Sequence, residues 1–90
     1  MDTRLDIFKM RQEMEWAALR EKWSPYIEVV NGHMVEAGFD PMTDAEAGEM
    51  AEDLECVLKY SKPEHMGQML PAHAAYHGTK SMKIQEESWR

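Results

Sequence analysis

Cysteine is nearly absent from this 90-residue chain. It has one, Cys56, so no internal disulfide can form, and a reducing compartment fits. Long apolar runs are missing as well. No stretch approaches the roughly 18 consecutive apolar residues of a membrane span, and the opening MDTRLDIFKMRQ lacks the apolar core of a secretory signal. The expected location is therefore cytoplasmic, with no membrane contact. The five glycines, at 32, 38, 48, 67 and 78, are scattered and build no phosphate-cradling loop. No alternating β-branched run reads as a strand, and no repeat or low-complexity linker divides the chain. With no HExxH and no Ser/His/Asp set in view, the expectation is a protein without catalysis and without a cofactor.

Positive charge is the scarcest commodity of all. From Trp23 to Leu58 there is no Lys or Arg, while nine acids fall there: Glu28, Glu36, Asp40, Asp44, Glu46, Glu49, Glu52, Asp53 and Glu55. Residues 1–22 balance five acids with five bases, so the net charge of −7 arises mainly in the middle of the chain. Phosphate backbones reward the opposite sign, which argues against direct nucleic-acid binding. A basic protein is the expected partner instead.

What the chain does have is helical pattern. Hydrophobic residues make up 43%, enough for a folded domain. Ninety residues read as a single helical domain, 1–90, with 79–90 as a loosely docked tail. The expected architecture is an all-α compact bundle of four to five short helices, its main helices at about 4–23 and 44–61. A domain this small has a thin core, so self-association would help it.

Thr3 and Asp6 form a capping-box signal for the first helix. One of its faces collects Leu5, Phe8, Gln12, Trp16, Leu19 and Trp23. The opposite face collects Ile7, Met10, Met14, Ala17 and Ala18. An ordinary surface helix has one apolar stripe. The second predicts contact with another chain, and Ile7, Met10 and Met14, with Trp16 as an aromatic anchor, are the expected interface of a homo-oligomer, a dimer or larger. Ser24-Pro25 then ends one helix and starts the next, whose face carries Tyr26, Ile27, Val30, Met34 and Ala37 up to a stop at Gly38. Thr43 and Glu46 make a second capping box, ahead of a stripe at Ala47, Met50, Ala51, Leu54, Val57 and Leu58. Beyond Pro63 the helical pattern is interrupted: Pro71 predicts a kink or restart, and Gly78-Thr79 a break.

Three features bear on function. The 44–58 helix sets Glu46, Glu49, Glu52 and Asp53 opposite its apolar stripe. A polar face needs no function. Yet Glu49/Asp53, Glu49/Glu52 and Glu52/Glu55 are like-charge neighbours, each unfavourable by about 0.2–0.5 kcal/mol. A face that repels itself predicts a basic partner, and neutralising Glu49, Glu52 and Asp53 is expected to leave stability unchanged or raised. His73 and His77, four apart, have the spacing of two metal ligands, with Met66 and Met69 nearby for copper(I). Without a further ligand pair, no metal is expected. Cys56 lies among Glu52, Asp53 and Glu55, the wrong surroundings for a nucleophile.

The leading expectation is a non-enzymatic interaction module, an adaptor or inhibitor that shows an acidic helix face to a basic, nucleic-acid-binding protein. Small, acidic, cofactor-free chains of this kind are common among accessory proteins of phages and mobile elements. The alternatives are a His/Met metal-binding or sensing protein and a structural component that assembles with itself.

Overall fold

A computed structural model describes the backbone of residues 3–89 and the side chains of residues 6–89. Four helices account for nearly all of it: α1 (Thr3–Lys22), α2 (Ser24–Glu36), α3 (Asp44–Tyr60) and α4 (Pro63–Ser88), with no strand among the described residues. The expected all-α bundle is what forms. The Thr3 half of the first capping box, and Leu5, lie outside the described side chains.

Local chemistry explains the boundaries. Pro25 has no N–H to continue α1, and Trp23 is the single residue between α1 and α2: its N–H donates to the Leu19 carbonyl at 2.9 Å and its own carbonyl accepts from Tyr26 at 3.0 Å. The cap of α2 is Trp23, not Ser24, and makes no side-chain cap bond. At the other end Gly38 takes φ +90, the left-handed conformation that favours glycine. Gly38 N–H reaches the Val35 carbonyl and Phe39 N–H the Met34 carbonyl, the paired bonds of a Schellman motif. Both arms of the Thr43 capping box are made, Glu46 N–H to Thr43 Oγ1 at 3.2 Å and Thr43 N–H to Glu46 Oε1 at 3.0 Å. Pro63 stands at the start of α4, as its fixed φ favours.

The last helix departs from the sequence expectation. Neither Pro71 nor Gly78-Thr79 breaks it, and α4 runs as one helix to Ser88. Proline in a helix interior is unfavourable by about 3 kcal/mol. Here Leu70, Ala74, Gly78 and Ser81 form a continuous buried stripe on that helix, and burying the stripe outweighs the lost backbone bond. The expected loose tail at 79–90 is docked along its described length. Met82 packs on the core, the Gln85 amide exchanges two 2.8 Å hydrogen bonds with the Asp40 backbone, and Trp89 stacks on Phe39 at 5.3 Å.

α3 lies between α1 and α4, and α2 packs on α4. Met50, Ala51 and Leu54 of α3 are fully buried at its centre. The radius of gyration is 14.6 Å and the principal extents are 42 × 41 × 18 Å. A compact domain of this length has a radius of gyration of about 12 Å, so the molecule is a plate that leaves unusual surface open. Two glycines permit close approach. A Cβ at Gly48 would fall 2.7 Å from Trp16 Cδ2, and one at Gly78 would fall 2.7 Å from Val30 Cγ1. Gly48→Ala gains about 1 kcal/mol of helix propensity but overpacks the α1–α3 seam at a cost of about 1–3 kcal/mol. A net loss of about 1 kcal/mol is expected in urea unfolding followed by circular dichroism.

Candidate functional site

The acidic helix face is where sequence reasoning placed the function, and the structure brings donors from both neighbouring helices to it. From the α1 side, the Trp16 indole N–H donates to Glu52. The Trp23 indole N–H donates to Glu55 at 3.1 Å, and Lys22 pairs with the same carboxylate. From the α4 side, His73 Nδ1 and His77 Nε2 lie 2.8 and 3.0 Å from one oxygen of Asp53. Lys80 stands 3.9 Å from Glu49, and Ser81 lies beside Glu46. Arg20 donates to the Asp44 carbonyl at 3.1 Å. The like-charged neighbours of α3 are thus separated by donors on other helices, and the acids fasten α1 and α4 to α3.

Their ionisation carries the mark of these contacts. Burial pushes Asp53 up, but hydrogen bonds from the two histidines and their charge overcome it and hold the carboxyl below its ordinary value. Burial likewise raises Glu46, and bonds from the Thr43 backbone, Ser81 and the Thr43 hydroxyl, with the Lys80 charge, bring it below. For Glu55 the Lys22 hydrogen bond dominates, opposed by slight burial and aided by Trp23. A depressed folded-state pKa contributes stability that is fully present above the unfolded value and is lost as pH falls through the folded one. Thermal melts should therefore be steady from neutral pH down to about the ordinary carboxylate range near 4, then fall. Because Glu49, Glu52 and Asp53 each contact a donor on another helix, neutralising all three to glutamine is expected to lower stability by about 1–2 kcal/mol at neutral pH, three charge-assisted contacts being weakened at partly exposed sites. Melts of the triple variant, with a shallower acid limb, check both statements.

His73 and His77 do share a face, as their spacing predicts, but Asp53 occupies the space between them. Met66 packs on the core, and Met69 accepts a hydrogen bond from Ser61 at 3.3 Å. No group of three or more His, Cys, Asp and Glu side chains among the described residues has metal-holding geometry. Cys56 is exposed and unbridged.

The predicted oligomer residues separate. Trp16 is half-buried, its ring turned toward α3 against Gly48. Ile7, Met10 and Met14 face outward, 57%, 63% and 71% exposed. They share a shallow groove of about 530 Å³ with Arg11, Glu15 and Ala18. Sequence reasoning missed a second groove, of about 440 Å³, between α2 and α4. Pro25, Tyr26, Val29, Val30 and His33 line one wall and Pro71, Ala74 and Ala75 the other. The signal available for it was small residues repeating along α4 at 67, 71, 74, 75 and 78, a face able to approach another helix closely. No helix is long and apolar enough to cross a membrane among the described residues. No protein-family model matches the sequence, and neither a curated protein nor a solved structure matches it significantly.

Proposed function

We propose that this chain is a cytoplasmic, non-catalytic protein-interaction module, and that it grips a partner through the α2–α4 groove in place of the acidic face of α3. The observation that carries this reading is the groove itself: an open apolar channel on a molecule whose α3 acids already serve its own helices. Contiguous apolar surface left open on a small protein marks interaction sites, and an open apolar groove is the kind of surface that takes an apolar helix or extended segment. The charge around it sets the partner's chemistry. α2 carries Glu28 and Glu36 and no Lys or Arg, and residues 63–79 carry Glu64 and no Lys or Arg. The favoured partner segment therefore has apolar anchors flanked by basic residues, which keeps a basic protein as the partner and moves its docking place.

Selection of a displayed random-peptide library on the purified chain tests this. Enriched peptides should carry apolar residues at helical or alternating spacing beside Lys or Arg, and binding should weaken with added salt. Val29, 60% exposed on the groove wall, is the residue to change. Val29→Glu should reduce peptide affinity by at least about tenfold, the order set by burying a charge against an apolar anchor, with the melting temperature unchanged. Peptides that bind Val29→Glu as tightly as the parent would refute the groove as the docking place.

A further inference from the structure

We propose that the outer stripe of α1 docks on α1 of a second copy of this chain, as an antiparallel two-fold pair. This goes beyond the groove reading and uses a different surface. The C-terminal half of the inner side of α1 is closed by α3, where Trp16 meets Gly48 and Leu19 packs on the core, while Phe8 of the same stripe lies beyond that cover and is 68% exposed. The outer side holds Ile7, Met10 and Met14, all more than half exposed, with Ala17 and Ala18 continuing the line. Positions 7, 10, 14 and 17 alternate by three and four residues, the seam of a two-helix coiled coil.

Self-complementarity is what identifies the occupant. With the two α1 helices antiparallel and the axis near residue 12, Met10 faces Met14 of the other copy and Ile7 faces the small Ala17, each contact made twice. Methionine adapts well to such a seam. Two charged residues line the same groove, Arg11 and Glu15. The same two-fold arrangement lays the flank that holds Arg11 and Glu15 against the same flank of the other copy, with Arg11 and Glu15 of opposite copies about two residues off level and within side-chain reach, so the rim pairs opposite signs where the stripe matches itself in shape. Antiparallel direction also opposes the helix dipoles favourably. An isologous contact closes on itself, so the assembly stops at two.

Sedimentation velocity on the full chain, under reducing conditions to keep the exposed Cys56 free, gives the first readout: a dimer at micromolar concentration. Met14→Glu should convert it to a monomer with an unchanged circular dichroism spectrum, because Met14 is already 71% exposed. Charge reversal then tests direction. Arg11→Glu and Glu15→Arg should each weaken dimerisation by about tenfold, two rim pairs turning from attractive to repulsive. Mixed in equal amounts the two variants should form a heterodimer as tight as the parent dimer, since each glutamate at 11 or 15 then meets an arginine. A parent chain that stays monomeric near millimolar concentration, a dimer that survives Met14→Glu, or a mixture no tighter than its components would each overturn the proposal. Val29→Glu should leave the dimer intact, so failure of the groove and failure of the pair are read separately.

Discussion

Trp23→Ala is expected to remove about 3–5 kcal/mol of folding stability, the range for deleting a large buried aromatic side chain. Trp23 is 7% exposed and belongs to the core cluster, yet it is also the only residue between α1 and α2. Its ring meets Tyr26 edge-on at 5.7 Å, which fixes the start of α2, and its N–H holds Glu55 of α3 at 3.1 Å. Three helices converge on one side chain. Domains of this size have about 0.05–0.15 kcal/mol per residue in total, so the loss is about a fifth or more of everything available. Trp23→Phe should be milder, about 1–2 kcal/mol, because most of the apolar area stays buried and Glu55 keeps Lys22 as its partner. Urea unfolding of the two variants, compared by midpoint at constant slope, separates the packing contribution from the hydrogen bond. Equal losses would mean that the indole N–H, not the ring's bulk, holds the junction.

Leu54→Ala is expected to cost about 2–5 kcal/mol, while Leu58→Ala should cost under about 1 kcal/mol. The two leucines are one helical turn apart on α3 and both lie on its apolar stripe. Leu54 is 0% exposed, whereas Leu58 is 37% exposed. At Leu54 α3 is enclosed by its neighbours, so truncation leaves a cavity. Near Leu58 the surface is open enough for water to fill the space, and no cavity term arises. Parallel denaturation of both variants checks the contrast. Similar losses at the two positions would show that the end of α3 is covered in solution by something beyond this chain.

Leu54 and Leu58 also mark where sequence reasoning stops. A stripe spaced by three and four residues identifies the buried side of a helix, but not how far along the helix the cover extends. The cover is supplied by helices remote in sequence, and its length depends on where they cross. The same limit applies to the acidic face. Six acids in 43–58 with no base nearby read as a face that only repels itself, because the donors that meet them are invisible to local spacing: Trp16 lies 36 residues from Glu52, Trp23 lies 32 from Glu55, and His73 lies 20 from Asp53.

By itself the sequence determined the all-α class, the Thr43 capping box, the Gly38 stop, the proline at the head of α4 and the two apolar faces of α1. Each of these is decided within a turn or two of helix, by a side chain that satisfies or denies a nearby backbone group. Only the tertiary structure decided that α4 passes through Pro71 and Gly78, that Trp16 turns inward while Met10 and Met14 stay outside, and that the α3 acids bind their own neighbours. Local propensity is worth about 1–3 kcal/mol at such positions. Burial of Leu70, Ala74, Gly78 and Ser81 along one seam outweighs it, and that burial exists only once the helices are side by side.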